Sequence, residues 1–204
     1  MKQKIILAST SPRRHGLAQE MGLEFDVVAS SYEEDMTQNL PPKELAMTLS
    51  YGKAKDVAKR FREGIVIGID TFVVFDGKKL GKPKNKEDAF VMLKSFSGKW
   101  QEVYSGVAII DRKTGNEARD CEVTRVKFRE LSDDEIQKYI ATGEPMDKAG
   151  AYGIQGLSSI FIERVDGCYF NVVGFPIYNV YKNLCKLGVN IFEYDNWKAA
   201  IDRK

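Results

Sequence analysis

The sequence predicts an α/β or α+β domain built around a mixed β-sheet. Strand and helix signals alternate through the first half, and hairpin signals appear later. The composition, 43% hydrophobic and 29% charged over 204 residues, is that of a globular chain. Residues 1–204 are taken as a single domain, a length that buries most of its apolar surface without staples.

The elements follow in order. Lys4 to Ala8 is a short isoleucine-rich run, read as a buried strand. Ser11-Pro12 is an N-cap with proline at the first helical position, and that helix ends near Met21 with Gly22 as its stop. Phe25 to Ala29 is a second strand. Pro41-Pro42 opens a long helix with Leu45, Leu49, Val57, Ala58 and Phe61 on its apolar stripe, closed by Gly64. Ile65 to Ile69 is apolar on both faces apart from Gly68 and ends abruptly at Asp70-Thr71. Phe72 to Phe75 leads to Asp76-Gly77, a strong hairpin signal. A helix covers Lys86 to Phe96, and strands cover 102–110 and 119–128, joined by the turn Asp111 to Asn116. Ser132-Asp-Asp-Glu135 is a capping box for a helix to about Ala141. Ser159 to Val165 and Tyr169 to Val172 read as a hairpin around Asp166-Gly167. A last helix runs from Pro176 to Gly188.

Composition also excludes. A net charge of +2, from 31 basic and 29 acidic residues, argues against a general nucleic-acid binder, and no stable nucleic-acid complex is expected. Trp197-Lys198 reads as packing or a frayed helix. The three cysteines, Cys121, Cys168 and Cys185, lack metal-ligand spacing and read as reduced thiols. A single histidine, His15, makes a histidine-based zinc site or a Ser-His-Asp triad a poor fit, and reads as structural or surface. The opening apolar run is too short for a signal sequence, and no run has the roughly 18 apolar residues of a membrane span. The expectation is cytoplasmic, without a membrane.

Four segments carry possible chemistry. Ala8-Ser-Thr-Ser-Pro-Arg-Arg14 joins a strand to a helix N-terminus. Free N–H groups, the hydroxyls of Ser9 and Ser11, and the forks of Arg13 and Arg14 suit a phosphate there, or merely a capped helix with solvated arginines. It is not a Walker loop. Asp70 stands at the end of an apolar strand, as a ligand-facing carboxylate or a turn cap. Leu80-Gly-Lys-Pro83 presents Lys82. Gly143 to Gly156, with Glu144, Asp147, Lys148, Tyr152 and Gln155, reads as a binding loop or a long ordered turn.

Taken together, these segments resemble the Maf family, once named for an effect on septum formation. Ser9-Thr-Ser-Pro-Arg-Arg14, Glu33, Lys53-Ala54, Asp70-Thr71 and Gly81-Lys-Pro83 match its motifs in order. So do Ser97-Gly98, Tyr104-Ser-Gly-Val107, Thr124-x-Val-x-Phe128, Tyr139 through Gly156, and Tyr169-Phe-Asn-Val-Val-Gly174. The chain departs from the family in Gln101, where histidine is frequent, in Ser105 for threonine, and in Phe175 of Gly174-Phe-Pro176. The resemblance implies an ITPase-like (Maf/Ham1) fold, a mixed twisted sheet flanked by helices with a cleft between two lobes. It also implies a homodimer, a divalent metal, and hydrolysis of nucleoside triphosphates between the α and β phosphates.

Asp147-Lys-Ala-Gly-Ala-Tyr-Gly-Ile-Gln155 looks like the branch acting on dTTP and UTP. Asp70 corresponds to the family's catalytic proton acceptor, and Arg13, Thr71 and Gln155 to its specificity positions. On this reading Ser9, Arg13, Arg14, Lys53 and Lys82 bind phosphates; Asp147 and Lys148 are other site candidates. Glu33 and Asp70 would hold magnesium or manganese through oxygen ligands. Two alternatives stand beside it: a nucleotide-binding regulator of septum formation without turnover, and a pyrophosphatase for other non-standard nucleotides. A house-cleaning role and a link to cell-division arrest belong to the same resemblance.

Overall fold

The structure is a computed structural model and describes residues 3–194; Trp197-Lys198 lies outside the described residues. The strands are β1 (Ile5–Leu7), β2 (Phe25–Val27), β3 (Ile65–Phe75), β4 (Lys78–Leu80), β5 (Trp100–Asp111), β6 (Glu117–Phe128) and β7 (Ile162–Asp166). The helices are α1 (Pro12–Glu20), α2 (Pro42–Ala58), α3 (Lys86–Phe96), α4 (Asp133–Ala141), α5 (Tyr169–Val173) and α6 (Ile177–Lys186). Among the described residues the sheet is seven-stranded, in the order β2-β1-β3-β5-β6-β7 with β4 beside β3. β1 pairs parallel with β2 and β3, Ile5 lying opposite Phe25 and Ile65. Parallel neighbours need a crossover, which α1 and α2 supply. β4 and β7 are antiparallel to β3 and β6, so the sheet is mixed, as expected.

The chain forms two compact units that it visits alternately. The first takes residues 3–70, 105–122 and 174–194; the second takes Thr71–Tyr104 and Val123–Val173. β3, β5 and β6 each begin in one unit and end in the other.

The first unit's core gathers Ile6, Ala8, Ala54, Val57, Val66 and Ala108. α2 lies directly on the sheet because two strands carry glycine beneath it. A Cβ on Gly68 would stand 2.3 Å from the Ser50 carbonyl oxygen, and one on Gly106 1.9 Å from that of Ala46. The second unit's core is aromatic. Phe96 meets Phe75 and Phe128 edge-on, and Phe128 meets Tyr152 with centroids 4.8 Å apart.

Local chemistry places several elements where expected. Asp76 and Gly77 both have positive φ (49° and 72°), as a two-residue hairpin turn requires. The capping box on α4 is complete, Ser132 accepting from the Glu135 N–H and Glu135 accepting from that of Ser132.

Two expectations are corrected. β3 does not end at Asp70-Thr71 but runs unbroken to Phe75, with Val73 to Phe75 held by β4. Residues 169–172 are not a strand but part of α5. There the buried Asn171 amide donates to the Val103 carbonyl and to Thr124 Oγ1, and the Cys168 carbonyl accepts from the Asn171 and Val172 N–H groups. These long-range bonds override the β-propensity of a Tyr-Phe-x-Val-Val run.

Candidate functional site

In the first unit the site is built from three elements. β1 ends at Leu7 and α1 begins at Pro12, so Ser9 to Ser11 form the connecting loop. Ser9 is buried, and its Oγ accepts from the Ser11 N–H (3.2 Å) and Arg14 Nη1 (3.3 Å). Ser11 stands at the N-cap position without a side-chain capping bond, so the loop is tied by Ser9. His15 Nε2 donates to the Ser9 carbonyl at 2.7 Å, a structural role that fixes its tautomer.

Arg14 Nε donates to the Gly174 carbonyl at 2.9 Å. Gly174 has φ 105°, a left-handed conformation that suits glycine, and this is what the last glycine of the Tyr169–Gly174 motif provides. Withdrawal from solvent pulls the Arg14 guanidinium below its ordinary value; the Asp70 and Glu34 carboxylates push back, and Arg13 adds to the fall. Two cations and two carboxylates thus share one electrostatic field.

α2 and β3 supply the rest. Lys53 Nζ lies 2.6 Å from Asp70 Oδ1 and 2.6 Å from Glu34 Oε1. The Asp70 side chain is 5% exposed and the Lys53 side chain 13%, so water screens this pair weakly. Gly68, two residues before Asp70 on β3, lets α2 approach closely enough for Lys53 to reach. The segment carrying Glu34 is fastened along α2. Arg60 Nη1 donates to the Ala29 carbonyl (2.9 Å), Asp56 accepts from the Ser30 hydroxyl and the Ser31 N–H, and the Tyr32 ring occupies the space where a Cβ on Gly52 would be.

Of the adjacent exposed carboxylates Glu33 and Glu34, it is Glu34 that meets Lys53. Asp70 is not a turn cap, because it sits within a strand, 3% exposed and ion-paired. Among the described residues no three His, Cys, Asp or Glu side chains converge as a ready metal cage.

In the second unit, Thr71 lies half-buried on β3, next in the chain after Asp70. Lys82 is exposed, and Gly81 is held by the Gly150 N–H at 2.9 Å. Lys148 is buried and spends its ammonium locally, on the Glu144 carbonyl (2.6 Å) and Asp147 Oδ1 (2.7 Å). Asp147 and Gln155 are exposed. Gln101, at the position where the resemblance suggested histidine, is buried and faces the Tyr152 hydroxyl.

Comparison with known proteins adds to this geometry. The family described as "Maf-like protein" matches residues 4–187. A protein of Acetivibrio thermocellus called "dTTP/UTP pyrophosphatase" is 48% identical over 93% of this chain and 98% of its own. Another of that name, from Syntrophomonas wolfei, is 49% identical over 91% of this chain and 98% of its own. Among solved structures, the Staphylococcus aureus Ham1 protein covers 91% of this chain and 95% of its own, with a TM-score of 0.46 and 13% identity.

Proposed function

The chain belongs to the Maf family, and from that premise we propose that it is a nucleoside triphosphate pyrophosphatase hydrolysing dTTP and UTP to the monophosphate and diphosphate. The observation that carries the reading is the cluster of Asp70, Lys53, Glu34 and Arg14 beside the Ser9–Ser11 loop. A triphosphate needs cations held against its oxygens and a carboxylate able to take a proton from water, and both are present.

Ser9, accepting from two donors, keeps its own hydroxyl proton for a phosphate oxygen. Arg13 and Arg14 present planar forks to phosphate. Lys53 occupies Asp70 Oδ1, which leaves Oδ2 to receive the proton of a water attacking the α phosphorus. The cationic side chains, Lys82 among them, stabilise the charge that develops on the diphosphate. Thr71, Arg13 and Gln155 are assigned to base choice. The Gln155 amide offers both a donor and an acceptor to the O4/N3 edge of uracil or thymine.

Glu33 and Asp70, with Glu34 as a neighbouring carboxylate joined to Asp70 through Lys53, are hard oxygen donors of the kind magnesium or manganese takes. Such an ion would neutralise phosphate charge. The reading extends to a homodimer and a cytoplasmic location. Three free cysteines accord with a reducing compartment, and no described helix is long and apolar enough to cross a membrane.

The test is a panel of dTTP, UTP, CTP, 7-methyl-GTP, ITP and ATP with magnesium or manganese, quantifying diphosphate and monophosphate. Diphosphate release led by dTTP and UTP is expected. Tight binding without turnover would turn the protein into a nucleotide sensor, and orthophosphate release would move the attack to another phosphorus. Gln155→Glu is expected to weaken dTTP and UTP turnover selectively; an equal loss on every nucleotide would count against base reading.

A further inference from the structure

The loop that carries Gln155 has almost no regular structure, yet it is closely determined. Two side chains outside Gly153–Gly156 hold the two ends of that short segment. At its first end, Ser158 is fully buried, and its hydroxyl accepts from the Gly153 N–H (3.0 Å) and donates to the Gly153 carbonyl (2.6 Å). Both backbone polar groups of Gly153 are therefore satisfied by one hydroxyl. At the other end, the Glu144 carboxylate accepts from the Leu157 N–H at 3.1 Å and from the Tyr139 hydroxyl at 3.3 Å. Gly156 has φ 94°, and a Cβ there would lie 2.8 Å from Glu144 Oε1, so the backbone passes hard against this carboxylate. Tyr139 is itself buried in the aromatic core, edge-on to Phe161 at 5.2 Å. The chain of support thus runs from core to phenol, from phenol to carboxylate, and from carboxylate to backbone.

Ile154 and Gln155 are the two residues suspended between these anchors, and Gln155 is exposed. An exposed glutamine has soft side-chain torsions of its own. Only a fixed backbone lets its amide present one donor and one acceptor in a fixed order. We propose that Glu144 and Ser158 are positioning residues that set nucleotide preference by holding the Ile154-Gln155 segment in a single conformation. This rests on the reading of Gln155 as the base-recognising residue. Neither side chain needs to touch the nucleotide.

Steady-state kinetics of Glu144→Ala on the same nucleotide panel tests this, with amide hydrogen exchange at Gly153–Leu157 as a readout independent of turnover. The variant is expected to raise KM for the preferred nucleotides and flatten the wild-type ranking by about tenfold, since small misplacement of a recognition group is costly. Its kcat is expected to stay within about twofold, because the reacting groups lie elsewhere. Exchange at Gly153–Leu157 should quicken.

Glu144→Gln keeps an oxygen for the Leu157 N–H and should restore most of the ranking, which a loss of bulk stability would not predict. An unchanged ranking in Glu144→Ala, or an equal fall in kcat on every nucleotide with KM unaltered, would overturn the proposal. If Glu144→Ala does not fold, Ser158→Ala decides by the same two criteria. Gln155→Ala separates the two levels of the argument. If it leaves the ranking intact, the base-reading role falls. If it flattens the ranking while Glu144→Ala does not, the anchoring role falls alone.

Discussion

The two units solve the same problem, holding side chains in place, with opposite materials. In the first, Ala8, Ala54, Ala58 and Ala108 stand among the isoleucines and valines, and Gly68 and Gly106 remove even a Cβ beneath α2. Small side chains bring backbones together, and charged groups on rigid elements then meet at ion-pair distance. In the second, Phe96, Phe128, Phe161, Tyr139 and Tyr152 fill the interior. Large rings support a loop of short 3-10 turns, Glu144–Asp147, Ala149–Ala151 and Leu157–Phe161, whose positions are then settled by single hydrogen bonds. Fixed charges suit close-packed regular elements; an irregular backbone is held in place when each turn is tied by its own hydrogen bond.

Four changes sharpen or break that contrast. The largest effect is expected from Asp70→Asn, which keeps the size of the side chain on β3 but removes its charge. Turnover should fall on the order of 10²-fold or more, the worth of a positioned general base. Near-normal diphosphate release would reassign the base.

Next comes removal from the aromatic interior. Phe128 is fully buried and touches the rings of Phe96, Tyr152 and Phe161, so Phe128→Ala should cost about 3–5 kcal/mol in denaturant unfolding. The first unit should fail on addition instead. Gly68→Ala places a methyl 2.8 Å from the Ala54 Cβ and 2.3 Å from the Ser50 carbonyl oxygen, and should cost about 1–3 kcal/mol while moving Lys53 from Asp70. If Gly68→Ala were neutral in both stability and turnover, close approach of α2 would not be what builds the site.

The smallest effect concerns acid. The Arg129 guanidinium, then the Ser132 N–H, hold the Glu135 carboxyl down to about 2, from an ordinary 4.5. A depressed carboxyl contributes stability that is full above its unfolded value and is lost as pH falls through its folded value. Thermal melts should therefore separate wild type from Glu135→Gln above pH 4.5 and converge toward pH 2. A constant separation down to pH 2 would show that the ion pair is immaterial.

What the sequence discloses follows from the range of the forces involved. The capping box at Ser132 and the hairpin at Asp76-Gly77 are settled within four residues, and both are readable. The order of motifs placed Lys53, Asp70 and the arginine loop together. That Glu34 pairs with Lys53 was not legible, because it lies in an irregular segment without periodicity. The pairing is decided by Asp56 and Gly52, on α2, which dock Ser30, Ser31 and Tyr32. The partners of Lys148, the Glu144 carbonyl and Asp147, were not legible because they depend on how the loop turns. Residues 169–172 read as a strand because nothing nearby announces that Asn171 will bond to Thr124 and Val103.

The alternating route of the chain has a consequence for engineering and descent. Since β3, β5 and β6 each start in one unit and finish in the other, neither unit is a contiguous stretch that truncation could isolate or a single crossover could exchange. A recombination event cut at any one of those strands would leave two half-ladders. Residues 143–158, by contrast, form one uninterrupted piece with its own anchors at Glu144 and Ser158. That piece can therefore be replaced as a cassette while the strand that carries Asp70 stays as it is.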